Sequence, residues 1–220
     1  MNEEPSKEKG INRRGLLLGI GSAAALLSLG GVVKLTEAEA LCRPPGGQDE
    51  DSFIGLCLRC EKCREVCPEG VIVPATLETG LINARTPTLD YTLGWCDFCE
   101  RGNNGSPRCI EVCPTQALKL PAGIKPTEAV IGEAYIVENW CLAWQLKGCT
   151  FCYDECPFDA ITMDSTGRPS VIASACNGCG RCENVCPSLM VGSVTEGARD
   201  RAITVIPVET AAKLRAGRQR

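Results

Sequence analysis

Four groups of cysteines carry the chemistry of this chain. They read Cys57-x2-Cys60-x2-Cys63-x3-Cys67-Pro68, Cys96-x2-Cys99-x9-Cys109-x3-Cys113-Pro114, Cys141-x7-Cys149-x2-Cys152-x3-Cys156-Pro157 and Cys176-x2-Cys179-x2-Cys182-x3-Cys186-Pro187. Every one of the 17 cysteines except Cys42 belongs to a group. Thiolates are soft ligands, and this spacing lets several curl around one centre. The first and fourth groups match the bacterial ferredoxin run, whose thiolates hold a [4Fe–4S] cluster. The second and third keep the x3-Cys-Pro ending and widen one early gap. The spacing predicts four [4Fe–4S] clusters and, as chemistry, the movement of single electrons.

Two other uses of cysteine compete. A disulfide framework suits an exported chain, but it does not require three cysteines within seven residues or four Cys-Pro endings. Structural zinc also takes four thiolates, usually as two separated C-x2-C hooks. The repeated spacing favours iron–sulfur over both. Cys42 stands apart. Glu39-Ala40-Leu41 before it makes a poor lipid-attachment signal, and nothing nearby would activate it. It reads as incidental.

These ligands need elements to hold them. The fourth cysteine of a group lies one helical turn past the third, and the proline after it forces an exit from the helix. Tyr135-Ile136-Val137 and Val171-Ile172-Ala173 read as short strands before the third and fourth groups, and residues 202–207 as a last strand. A short helix ending near Gly80 is expected over residues 75–81, with loops at 121–134 and 188–201. The repeat is strand, cluster loop, short helix, strand. The expected fold class is α+β: two ferredoxin-like modules, each for two clusters, with many loops and short strands. The compact outer groups and expanded inner groups suggest nesting. An outer module would comprise residues 41–85 plus 165–207, and an inner module 86–164. Sequential pairing of the groups is the competing arrangement.

Composition excludes much else. The chain has no histidine, which removes histidine-ligated haem, Rieske ligation and histidine acid–base catalysis. No nucleophile–base set stands out, so an electron-transfer component is expected rather than a substrate-converting enzyme. The net charge is −4, which argues against a nucleic-acid partner. Only 5% of residues are aromatic, so cluster cages must organise folding. Residues 208–220, with Lys213, Arg215, Arg218 and Arg220, read as a solvated basic tail.

Residues 1–40 read as a leader. Asn12-Arg13-Arg14-Gly15-Leu16-Leu17 is similar to the twin-arginine export signal, and an uncharged stretch to Val33 and Ala38-Glu39-Ala40 follow. That route carries folded cargo, which suits clusters built before export. An uncleaved membrane anchor is the alternative reading. Gly19-x-Gly21-x-x-Ala24 mimics a dinucleotide fingerprint but has no preceding strand.

With these features in hand, the chain resembles the NapG/MauM group of periplasmic ferredoxin-type proteins. The resemblance rests on the leader, Arg43-Pro44-Pro45-Gly46, the four quartets with their unequal gaps, and Ala75-Thr76-Leu77, Gly80-Leu81 and Thr86-Pro87. It implies four [4Fe–4S] clusters that relay electrons from a membrane quinol dehydrogenase subunit to a periplasmic reductase of the nitrate reductase type, or to its electron-accepting subunit. The implied location is the outer face of the cytoplasmic membrane, with membrane association through the partner or an uncleaved leader. An iron–sulfur subunit of another exported molybdenum oxidoreductase is the alternative. The resemblance also implies ligand sets: Cys57, Cys60, Cys63 and Cys186; Cys176, Cys179, Cys182 and Cys67; Cys96, Cys99, Cys109 and Cys156; Cys141, Cys149, Cys152 and Cys113. The family's longer C-terminal tail, with histidine and aromatics, is missing here.

Some residues are candidates for tuning or docking. Arg59 and Lys62 lie between ligands and would raise a potential, with Glu61 opposing. Gly178 and Gly180 allow backbone N–H groups close to sulfur, or simply give the loop freedom. The wide inner loops, residues 100–108 and 142–148, offer docking surfaces; a packed Trp144 is the rival reading of the second.

Overall fold

The computed structural model describes residues 40–188 and 200–218. The leader up to Glu39 and the middle of the 188–201 loop lie outside those residues, and so do the export and cleavage signals expected there. Helix α1 (Glu50–Leu56) opens the described chain, and its N-cap Asp49 accepts a hydrogen bond from the Ser52 amide. Five single-turn helices follow among the described residues. They are α2 (Lys62–Glu65), α3 (Glu100–Asn103), α4 (Arg108–Glu111), α5 (Phe151–Asp154) and α6 (Arg181–Asn184). Each of α2, α4, α5 and α6 contains the third cysteine of its quartet. Helices this short are not stable by themselves and need tertiary support.

Among the described residues that support comes from three two-stranded antiparallel ribbons. Strand β1 (Ile72–Pro74) pairs with β2 (Pro87–Leu89), with Ile72 opposite Leu89. Strand β3 (Glu133–Ile136) pairs with β6 (Ile203–Ile206), with Glu133 opposite Ile206. Strand β4 (Ile161–Met163) pairs with β5 (Pro169–Val171), with Ile161 opposite Val171. A two-stranded ribbon has only edges, so Pro74, Pro87 and Pro169 sit in strands without breaking a ladder. The expected strands near 135, 171 and 202–207 are present with shifted ends. The expected helix over 75–81 is a single 3-10 turn, Leu77–Thr79, closed by Gly80.

Two of the ribbons join consecutive quartets, which the nested arrangement would not require. Ribbon β1–β2 joins the first quartet to the second and spans the expected boundary at 85/86. Ribbon β4–β5 joins the third to the fourth and spans the boundary at 164/165. Strand β6 returns to β3 and closes the second half. Helix α2 packs on α4, and α5 on α6. Within the one compact unit that the described residues form, the quartets are thus grouped first with second and third with fourth, in two consecutive halves. Folding neighbours together closes short loops, which costs less conformational entropy than joining the first quartet to the fourth.

Arg43 anchors the lead-in. It is 1% exposed and lies over the Phe53 ring at 4.8 Å. Its guanidinium pairs with Glu50 and donates to Thr86 Oγ1 (2.7 Å), the Pro87 carbonyl (3.0 Å) and Asn83 Oδ1 (2.8 Å). The Arg-Pro-Pro-Gly segment thus ties residues 42–50 to β2. Gly46 has φ +87, and a Cβ there would meet the Lys119 backbone at 2.5 Å. Arg43→Ala is expected to destabilise the loaded chain by about 1–3 kcal/mol, because Asn83 and Thr86 lose a buried donor and the partly exposed Glu50 loses its ion pair. A thermal midpoint of the loaded chain that does not fall would contradict this.

The expected basic tail is instead helix α7 (Val208–Arg218). Ala211 on it is fully buried, and Arg215 pairs with the buried Glu133 of β3. Among the described residues no helix is long and apolar enough to cross a membrane.

Candidate metal centres

The quartets share one local geometry. The residue just before the second cysteine has a positive φ in all four: Arg59 (55°), Phe98 (53°), Gly148 (68°) and Gly178 (79°). After the Cys-Pro endings the left-handed region recurs at Gly70, Gln116 and Asp159. Side-chain caps reinforce two of the loops. The Cys99 amide donates to Asp97 Oδ1 (2.8 Å), and the Cys179 amide donates to Asn177 Oδ1 (3.2 Å). Both caps are buried. The sequence reading missed them, although an Asp or Asn two residues before such an amide is an Asx-turn signal.

Four cavities result, each lined by four thiols. Site 1 gathers Cys57, Cys60, Cys63 and Cys113. Site 2 gathers Cys96, Cys99, Cys109 and Cys67. Site 3 gathers Cys141, Cys149, Cys152 and Cys186. Site 4 gathers Cys176, Cys179, Cys182 and Cys156. Each of the sixteen quartet cysteines lines one of the four cavities, and the linings differ from the nested ligand sets. Cys186 joins the third quartet rather than the first, Cys67 the second, Cys113 the first and Cys156 the fourth. The cause is the packing of α2 on α4 and α5 on α6, which turns each fourth cysteine toward the quartet of the same half.

The donor set fits an iron–sulfur cube. All 17 cysteines are free thiols. Among the described residues, no three His, Cys, Asp or Glu side chains close on a single metal ion. A zinc would draw its sulfurs to about 2.3 Å from one point, so these cavities suit a larger body. Backbone amides point at sulfur: Arg59 N–H at Cys57 Sγ (3.4 Å), Ala160 N–H at Cys156 Sγ (3.3 Å) and Ala134 N–H at Cys176 Sγ (3.5 Å). Such bonds tune the potential of a cluster held there.

Burial dominates the thiols. It pushes Cys63 up to about 11 and Cys152 and Cys179 up to about 12, and neighbouring thiols of the same site add to the rise. Cys96 and Cys182 are also well above the ordinary thiol range for the same first cause. Cys113 goes the other way. Burial raises it, but hydrogen bonds from the Leu118 amide and from Thr115 outweigh this and lower it. Without metal most of these groups stay protonated at neutral pH, so loading must displace protons.

The tuning and docking candidates are placed as follows. The Arg59 guanidinium is tied to the Ala84 and Ile82 carbonyls, both at 3.0 Å. Glu61 bridges Arg64 and Arg85. Trp144 is packed: its indole N–H donates to the Pro169 carbonyl (3.3 Å), and Arg168 lies over its ring at 5.0 Å. Gly178 and Gly180 serve close approach. A Cβ on Gly178 would meet the Gly132 backbone at 2.4 Å, and one on Gly180 the Tyr91 ring at 1.8 Å. Cys42 is 7% exposed and donates to the Val205 carbonyl (3.6 Å). Burial first, then Glu183, pushes it up to about 12. It is a core residue, and the native loaded chain at pH 8 is expected to leave it unmodified by iodoacetamide. Mass-spectrometric detection of labelled Cys42 in folded material would contradict that.

The comparisons with known proteins follow the same division. Two family models, each described as a 4Fe–4S dicluster domain, match residues 56–118 and 147–190. The first match spans the first two quartets, and the second runs from the second cysteine of the third quartet through the fourth. The chain is 34% identical over 199 residues to the ferredoxin-type protein NapG of Escherichia coli (strain K12), covering 82% of this chain and 83% of that protein. It is 32% identical over 206 residues to the methylamine utilization ferredoxin-type protein MauM of Methylorubrum extorquens, covering 82% and 87%. The ferredoxin-type protein NapF of Escherichia coli (strain K12) is 30% identical over 151 residues, covering 66% and 79%.

Proposed function

The chain belongs to the family of ferredoxin-type proteins named NapG and MauM, and from that premise we propose that it is an exported electron relay with four [4Fe–4S] clusters. The observation that carries the reading is the gathering of four thiols at each of four cavities. A bound [4Fe–4S] cluster takes up or gives up one electron at a time. The protein does the rest. Cys57, Cys60, Cys63 and Cys113 would hold the first cluster; Cys96, Cys99, Cys109 and Cys67 the second. Cys141, Cys149, Cys152 and Cys186 would hold the third; Cys176, Cys179, Cys182 and Cys156 the fourth. Apolar walls such as Ile72, Leu118, Ile136 and Ile161 limit water at the sulfurs, and the Arg59, Ala134 and Ala160 amides stabilise charge on them.

In this reading a membrane quinol dehydrogenase supplies electrons, and a periplasmic reductase of the nitrate reductase type, or its electron-accepting subunit, takes them. The similarity to NapG supports that pairing. The comparable similarity to MauM supports a second reading, in which the same relay serves a methylamine-utilisation system. The leader is read as a twin-arginine signal, so replacing Arg13 and Arg14 with lysine is the localisation test. For the main reading, the loaded chain is mixed anaerobically with membranes and a quinol. Bleaching of its visible absorbance, reversed by periplasmic nitrate reductase and nitrate, is expected. Absence of exchange while dithionite still bleaches the chain would rule the pairing out.

A further inference from the structure

The two halves meet at particular sites. The Cys96 amide, at site 2, donates to the Cys179 carbonyl, at site 4, at 2.8 Å. Just before Cys96 lie two buried or half-buried aromatics that reach the fourth quartet. Tyr91 is 3% exposed; its hydroxyl donates to the Gly178 carbonyl (2.7 Å), and its own carbonyl accepts from Asn184 Nδ2 (3.0 Å). Its ring fills the space that a side chain at Gly180 would need. Trp95 lies between two guanidinium groups, Arg101 of its own half at 4.8 Å and Arg181 of the other at 5.0 Å. Phe98, on the wall of site 2, meets Phe158, on the wall of site 4, edge to face at 6.2 Å.

We infer that electrons cross between the halves at sites 2 and 4, so that the sites run in the order 1, 2, 4, 3 and Tyr91 and Trp95 are positioning residues for the crossing. This rests on the proposed four-cluster reading and goes beyond it, because neither chain order nor the quartet spacing gives that sequence. The ends of the row are then sites 1 and 3. Both have exposed apolar residues on their walls, Leu58 at 66% and Phe151 at 54%. Each transfer oxidises one site by one electron and reduces the next by one. No bond forms or breaks and no proton moves; a quinol-linked donor supplies the electron at one end, and an oxidised partner takes it at the other.

The test uses the full chain, loaded anaerobically, fully reduced with dithionite and read by electron paramagnetic resonance. Four variants each remove one site: Cys60→Ala, Cys99→Ala, Cys149→Ala and Cys179→Ala. A reduced cluster beside another gives a split signal, and an isolated one gives a narrow signal. The order 1, 2, 4, 3 predicts a narrow signal after loss of site 2 or site 4, and only split signals after loss of site 1 or site 3. A narrow signal after loss of site 1 or site 3 overturns it. Iron and sulfide counts on the same samples report separately on the four-cluster reading. In the otherwise intact chain, Gly180→Ala drives a methyl group into the Tyr91 ring. It is expected to weaken the coupling between sites 2 and 4 and to leave the 1–2 and 3–4 couplings in place. An unchanged 2–4 coupling overturns the role given to Tyr91.

Discussion

The double variant Cys60→Ala/Cys113→Ala is expected to lose one cluster, not two. Both thiols line site 1, although Cys113 comes from the second quartet. The exchange is reciprocal, because Cys67 of the first quartet lines site 2 with Cys96, Cys99 and Cys109. Burial is the first cause that raises the thiols of Cys96, Cys99 and Cys109, and Cys67 adds to the rise in all three. Iron per chain should therefore fall by about a quarter in either single variant and by the same quarter in the double. In the nested scheme Cys113 serves the third quartet, and the double variant would lose about half. Cys149→Ala/Cys186→Ala gives the matching measurement in the second half, where Cys186 shares site 3.

Removing the metal is expected to unfold the chain. The core is built partly from its ligands: Cys109, Cys141, Cys152, Cys179, Cys182 and Cys186 lie among its buried residues. The ribbons are three or four residues per strand and the cysteine-bearing helices four residues long. For comparison, one structural zinc contributes about 10–16 kcal/mol to the folding of a small domain. Chelation under anaerobic conditions should abolish cooperative melting and the native circular dichroism. Whatever fold remains should also weaken with alkali. Unfolded thiols ionise at about 8.5, whereas burial pushes Cys63 up to about 11 and Cys152 and Cys179 up to about 12. A raised folded value means that stability is intact below the unfolded value and is lost as pH rises toward the folded one. Metal-free material with a native spectrum and a sharp melt would contradict the role given to the clusters.

What the sequence made legible was local. Three cysteines within seven residues, followed by x3-Cys-Pro, dictate a loop, one helical turn and an exit, and α2 and α6 have that form. Strand β6 was readable from Ala202 to Pro207 because the apolar run is short and bounded. The direction taken by each fourth cysteine was not readable, since it is decided by which helix packs on which. Loop width suggested nesting, but width reflects insertions at the edge of a site and does not set its partner. The better signal was the pair of proline-marked strands at 72–74 and 87–89, a ribbon that can only draw the first two quartets together. Arg43 was noticed as part of a motif, but its burial depends on Thr86 and Asn83, 40 or more residues away. Residues 208–218 looked like a tail because their polar side chains mask a helix held by one buried alanine and one ion pair to β3.

The most direct test of the central claim is a determination of iron and acid-labile sulfide in anaerobically purified chain. About sixteen of each per chain are expected, from four [4Fe–4S] clusters, in brown material. Colourless protein with no labile sulfide, or with zinc in place of iron, would contradict it.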